Sequence, residues 1–121
     1  METNNKRLGT SFEIEVVEYL RKRGWWVHFI TPDRRGAQPF DIVAAKNNKA
    51  MAVECKTLVE SRNWFDIDRL EDNQVMALNK WLNCGNTEAY IVVKHRGRIH
   101  WIKWQKLRAE RKVRMNADDN S

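Results

Sequence analysis

Two apolar stretches separated by Asn47-Asn48 constrain this chain more than any other feature. Phe40 to Lys46 and Ala50 to Thr57 read as strands, and an Asn-Asn pair tolerates the positive φ angles of a tight turn, so together they predict a β-hairpin. With Asn47 and Asn48 as the loop, Lys46 opposes Lys49 and Asp41 opposes Glu54. Sliding the loop by one residue puts Asp41 opposite Lys56 instead. In either register Asp41, Glu54 and Lys56 share one face, because side chains alternate along a strand. A three-residue loop would break that relationship.

Carboxylates are unusual inside strands otherwise built from Phe40, Ile42, Val43, Met51, Ala52 and Val53. Directly opposed residues have Cβ atoms about 4.5–5.5 Å apart, where like charges repel. Asp41 and Glu54 therefore call for a cation. A divalent metal suits them, since Mg²⁺ is commonly held by one or two carboxylates together with substrate phosphate and water. Lys56 would then stand beside the metal, able to orient water or stabilise charge on a phosphate. The plainer alternative is a salt bridge from Lys56 to Asp41 or Glu54.

Two predicted helices offer further members. Phe12, Val16, Val17 and Leu20 recur at helical spacing, which predicts a helix over Ser11 to Arg23 ending at Gly24. Glu13 lies beside that buried stripe, although Thr10-Ser11-Phe12-Glu13 also matches a capping box, in which Glu13 merely bonds the cap amide. A second helix is predicted over Ile67 to Leu82, ending before Gly85. Gln74 interrupts its apolar row Leu70-Gln74-Leu78, as a site residue or as a satisfied, half-buried amide.

Elsewhere, Trp25 to Ile30 reads as a strand followed by a polar loop, Thr31 to Gln38. Ala89 to Lys94 and Ile99 to Lys103 form a hairpin around Arg96-Gly97, and the basic segment Gln105 to Arg114 is expected to close the chain as a helix. The order αβββαββ(α) predicts an α/β fold with a mixed central sheet flanked by helices. At 121 residues, without repeats or a linker, one domain spanning 1–121 is expected, with loose ends near 1–6 and 115–121.

With 22 Lys+Arg against 16 Asp+Glu, the formal net charge is +6 and the pI about 9.6, which suits a polyanionic partner. No stretch approaches the roughly 18 apolar residues of a membrane span, and Met1 to Arg7 is polar rather than signal-like, so a cytoplasmic location is expected. Cys55 and Cys84 read as reduced structural thiols. His28, His95 and His100 lack zinc-ligand spacing with either cysteine. No Walker-type phosphate loop is present. Trp64-Phe65 falls in an apparent loop, to stack on nucleic acid, pack across a dimer or enter the core.

Taken in order, Gly9 to Glu13 (Gly-Thr-Ser-Phe-Glu), Pro39 to Ala44 (Pro-Phe-Asp-Ile-Val-Ala), Val53 to Lys56 (Val-Glu-Cys-Lys) and Glu71 to Gln74 (Glu-Asp-Asn-Gln) resemble the PD-(D/E)XK nuclease superfamily. Within it the chain is most similar to the small Holliday-junction resolvases of archaea and phages, over roughly Lys6 to Trp104. A lone D…E-x-K recurs by chance. The ordered set is far more specific. The resemblance implies a restriction-endonuclease-like fold, Glu13, Asp41 and Glu54 as metal ligands, Lys56 as the catalytic lysine and Gln74 as a supporting residue. One departure is that Phe40 intervenes between Pro39 and Asp41, where the family's proline directly precedes the aspartate. The resolvases also often use a serine in the preceding loop, for which Thr31 is the candidate here.

These readings converge on a Mg²⁺- or Mn²⁺-dependent DNA endonuclease. Arg7, Arg34, Arg35, Lys94, Arg96 and Arg98 are candidates for tracking the DNA backbone. A four-way junction as substrate and a C2 homodimer are implied by the resemblance alone. The competing readings are a non-catalytic nucleic-acid-binding domain with a nuclease-like fold, and a nuclease of the same mechanism acting on other DNA structures.

Overall fold

A computed structural model of the chain describes residues 11–32 and 38–115. Helix α1 (Ser11–Lys22) leads into strands β1 (Trp26–Phe29), β2 (Ile42–Lys46), β3 (Lys49–Thr57) and β4 (Trp64–Asp66). A 3-10 turn (Ile67–Arg69), helix α2 (Asp72–Asn83), strands β5 (Glu88–His95) and β6 (Arg98–Lys103), helix α3 (Trp104–Glu110) and strand β7 (Lys112–Arg114) follow. Five strands form one mixed sheet in the order β1-β2-β3-β5-β6, with only β3 and β5 parallel. The α/β expectation holds.

Alternation along the strands divides the core into two. On one face α1 buries Phe12, Val16, Val17 and Leu20 against Ile42, Ala44, Met51, Val53, Cys55 and Val92. The other face, carrying Ala52, Ala89, Ile91, Val93 and Ile102, is covered by Leu78 of α2, Trp104 and Leu107 of α3, and Phe65 and Val113. Fully burying a side chain of this size contributes about 1.5–3 kcal/mol, so both layers are needed for a stable sheet. Helix α1 stops where Gly24 takes φ +90°, a conformation that costs a residue with a Cβ.

The hairpin has the tighter of the two anticipated registers. Asn47 and Asn48 take φ 51° and 67°, Lys46 pairs Lys49, and Ile42 pairs Val53. Beyond that the ladder deforms, because the Asp41 N–H donates to the Val53 carbonyl at 3.1 Å. Phe40 leaves the alternation and packs edge-on against Trp81 of α2, with centroids 5.6 Å apart.

Three expectations are corrected. The segment predicted as one helix over Ile67 to Leu82 is a 3-10 turn capped by Asp66, an extended Leu70, and a helix beginning only after Glu71. Ile67 and Leu70 are both buried, so their helical spacing is satisfied by a single turn. The predicted closing helix over Gln105 to Arg114 ends at Glu110, where Arg111 turns left-handed at φ 72°. Lys112-Val113-Arg114 then alternates exposed, buried, exposed as a strand. That strand pairs antiparallel with Trp64–Asp66, so Trp64-Phe65 is strand rather than loop. The chain ends 1–6 and 116–121 lie outside the described residues.

Candidate active site

Because β2 runs antiparallel to β3 and β5 parallel to it, one end of the sheet gathers the start of β2 with the ends of β3 and β5. Asp41 precedes β2, while Glu54 and Lys56 lie near the end of β3. Gln74 reaches the same place from the first turn of α2, and Glu13 lies in the first turn of α1. The four residues Asp41, Glu54, Lys56 and Gln74 come together. Glu13 is half-buried at their margin, near enough for its charge to act on Glu54.

Glu54 is 2% exposed and Asp41 8%. One Glu54 oxygen, Oε2, accepts from Gln74 Nε2 at 3.0 Å and lies 3.4 Å from Lys56 Nζ. The other, Oε1, is buried without a hydrogen-bond partner among the described residues. Asp41 is held on both sides: Oδ2 accepts from the Cys55 backbone N–H at 2.8 Å and Oδ1 from Gln38 Nε2 at 2.8 Å. The lysine therefore does make the salt bridge of the plainer reading, to Glu54. It also keeps a 19% exposed side chain that reaches the surface.

Electrostatics sets these carboxyls apart from ordinary ones. Burial, then the charge of Asp41, pushes Glu54 up to about 8, against the lowering effect of Lys56. Asp41 is also raised, chiefly by burial, while the Cys55 N–H, the Lys56 charge and the Gln38 amide hold it down. Paired carboxyls in this state hold a proton that a divalent cation would displace. An orphaned, buried carboxylate oxygen facing a second carboxylate is a hard-oxygen donor set, and it fits Mg²⁺ or Mn²⁺. Among the described residues no three His, Cys, Asp or Glu side chains make a metal cage by themselves.

Two supporting residues escape a reading by spacing. Gln38 belongs to the polar loop, and its contact with Asp41 depends on the kinked entry to β2. Asn73 Nδ2 in turn donates to the Gln38 carbonyl at 2.9 Å, fastening that loop to α2. Cys55 contributes its backbone N–H, while its thiol is buried in the α1 layer and pushed far up by burial. Both cysteines are free, Cys84 being exposed.

The cationic candidates divide. Lys94 pairs with Glu15 at 3.0 Å and lies over the Phe12 ring, which fixes it beside α1 at the active end of the sheet. Arg96 donates twice to the Glu60 carbonyl, at 2.8 and 3.1 Å, and Arg98 is exposed across the turn. Thr31 is exposed beyond β1. Arg7, Arg34, Arg35 and the Thr10 cap lie outside the described residues. His95 and His100 are buried on the face of the sheet that also carries Glu54 and Lys56, and His28 stacks on the exposed Trp26.

Comparison with known proteins shows what the chain is similar to. The chain is 31% identical over 119 residues to the crossover junction endodeoxyribonuclease Hje of Sulfolobus acidocaldarius, covering 96% of this chain and 81% of that protein. Its fold matches the structure of Hjc, a Holliday junction resolvase from Archaeoglobus fulgidus, with a TM-score of 0.64 and 24% identity, covering 93% of this chain and 91% of the other. The family model for archaeal Holliday junction resolvase (Hjc) matches residues 4–121, and the chain belongs to that family of PD-(D/E)XK-type nucleases.

Proposed function

We propose that this protein is a Mg²⁺- or Mn²⁺-dependent endonuclease that hydrolyses phosphodiester bonds at four-way DNA junctions, acting as a C2 homodimer with the whole chain as one domain. The observation that carries the reading is the buried Asp41–Glu54 pair, with Glu54 Oε1 lacking a hydrogen-bond partner among the described residues and with Lys56 bridging from Glu54 to the surface. Membership in the resolvase family supports the junction as substrate, and the symmetric branch supports the dimer. No helix among the described residues is long and apolar enough to cross a membrane. Acting on DNA would place the protein in the cytoplasm, that of a host if the chain is phage-encoded.

Asp41 and Glu54 would hold the cation, with Glu13 contributing at its margin. When bound, such an ion polarises the scissile phosphate and activates water. Lys56, held by Glu54 Oε2, would present its ammonium to a phosphoryl oxygen and stabilise the charge that develops there. Gln74 and Gln38 are positioning residues, each fixing one carboxylate through a side-chain amide. Lys94, Arg96 and Arg98, with Arg7, Arg34 and Arg35, would track the backbone.

The test is cleavage of a four-way junction, a duplex, a single strand and a flap, with and without Mg²⁺, with mass measured by light scattering. Mg²⁺-dependent paired incisions in the junction by a dimer are expected. Binding without cleavage under every condition would favour a non-catalytic DNA-binding domain. Equal cleavage of duplex would overturn the junction assignment.

A further inference from the structure

The β4–β7 ribbon lies apart from the carboxylate pair and has no part in the site just described. Its inner face is anchored: Phe65 is fully buried and Val113 nearly so. Its outer face presents Trp64 and Asp66 from β4 with Lys112 and Arg114 from β7, all exposed. Asp66 is occupied as the cap of the 3-10 turn, accepting from the Asp68 N–H at 2.9 Å. Trp64 keeps 45% of its surface in solvent, with Lys112 Nζ 5.0 Å and the Arg114 guanidinium 5.8 Å from its ring centroid. Arg62, Arg69 and Arg111 are exposed on the adjoining turns.

The ribbon is tied to the active end of the sheet. Arg69 Nη2 donates to the Thr57 carbonyl at 2.9 Å, one residue beyond Lys56. Arg96, at the turn after β5, grips the Glu60 carbonyl in the segment that leads into β4. These two contacts hold the ribbon and the segment before it to the end of the sheet where β3 and β5 finish.

We propose that the outer face of this ribbon is a second DNA contact, in which Lys112 and Arg114 bind backbone phosphates and Trp64 stacks on a base face exposed at the branch. An indole flanked by two cations matches the pairing of aromatic platform and phosphate-binding charge by which proteins hold unstacked nucleic acid. The inference rests on the DNA-cleaving function proposed for the carboxylate site.

The test compares the full-length protein with Trp64→Ala, Trp64→Phe and the double variant Lys112→Gln/Arg114→Gln. Junction binding is measured in EDTA at several salt concentrations, and cleavage in Mg²⁺. Trp64→Ala should weaken junction binding by about tenfold or more, with Trp64→Phe recovering most of it. Turnover at saturating junction should be kept, so the loss falls on KM. The double variant should flatten the slope of log affinity against log salt by about 1.8, the value for two phosphates on duplex arms. 2-Aminopurine at the branch should change its fluorescence on binding wild type but not Trp64→Ala. Wild-type affinity and salt slope in all variants, with cleavage by the wild type intact, would overturn the ribbon contact alone. A wild-type protein that neither binds nor cuts any DNA would overturn the function on which it rests.

Discussion

Gln74 spans two elements with one amide: its Nε2 donates to Glu54 Oε2 at 3.0 Å, while its Oε1 accepts from the Glu71 backbone N–H at 3.0 Å. The same side chain caps α2 and orients a carboxylate of the sheet. Half of this arrangement is ordinary helix capping, since Glu71 reciprocates from its own side chain. The other half links the start of the helix directly to the candidate metal ligand.

Separating those halves is a matter of substitution. Gln74→Leu should lose about 1–2 kcal/mol of stability, from the cap and from the donor withdrawn from a buried carboxylate. Its cleavage should fall about 10- to 100-fold, the usual effect of removing a residue that orients a metal ligand. Gln74→Glu keeps an acceptor for the Glu71 N–H but sets a third carboxyl against Glu54. It should retain more stability than Gln74→Leu at acid pH, yet need more Mg²⁺ for half-maximal cleavage at neutral pH. Thermal melts and Mg²⁺ titrations check both.

How much of this was legible depends on how local each feature is. The hairpin was readable because Asn47-Asn48 and the alternation of Phe40 to Thr57 act over neighbouring residues, and that register alone brings Asp41 towards Glu54. The apolar stripe of α1 was equally local. The β4–β7 pairing was not: Trp64–Asp66 and Lys112–Arg114 are short, distant in sequence, and defined only by each other. Ile67 and Leu70 carried helical spacing that a single 3-10 turn also satisfies. Gln38 lay hidden because its reach to Asp41 follows from the deformed ladder at Asp41 and Val53, which spacing does not encode. The distance of Glu13 from the pair is set by how α1 docks on the sheet, again a tertiary quantity.

The burial of Glu54 should appear as a pH-dependent cost to stability. Folded, its carboxyl is pushed up to about 8 from an ordinary 4.5. Between those values the unfolded chain sheds a proton that the folded protein keeps, so folding stability falls as pH rises through that window. Glu54→Gln has nothing to ionise there. In EDTA its melting temperature should exceed that of wild type by a margin that widens from pH 5 to pH 8, while Mg²⁺-dependent cleavage is abolished. Mg²⁺ should raise the melting temperature of wild type and not of the variant. A margin that stayed flat across the window would show that Glu54 titrates normally.

Gln38 offers a second positioning residue. Gln38→Ala removes the side-chain donor to Asp41 Oδ1 but leaves the Cys55 N–H on Oδ2 and the Gln38 carbonyl that Asn73 binds. Folding should therefore change little, by under about 1 kcal/mol. Cleavage should fall with a raised Mg²⁺ requirement and be rescued in part at high Mg²⁺. Asp41→Asn, which removes the charge itself, should eliminate cleavage at every Mg²⁺ concentration while keeping junction affinity within a few-fold.

Lys56 decides between a structural salt bridge and a part in the chemistry, because the geometry gives it both opportunities: 3.4 Å from Glu54 Oε2, with a side chain that still reaches solvent. If it served only to neutralise the carboxylates, Lys56→Met would leave two buried acids without a cation. The variant would lose about 1–3 kcal/mol of stability, which Mg²⁺ would restore along with cleavage. If Lys56 acts on the phosphate, Lys56→Met should stay folded, bind Mg²⁺ and junction DNA, and lose turnover by about two to three orders of magnitude, the scale seen when one donor to a developing oxyanion is removed. Lys56→Arg sharpens the contrast, since a planar guanidinium keeps the charge but differs in shape and does not readily give up a proton. It should fold normally and still cleave poorly. Single-turnover cleavage at saturating junction and Mg²⁺, read beside thermal melts of both variants, makes the separation. Near-wild-type cleavage by both would assign Lys56 to the salt bridge alone.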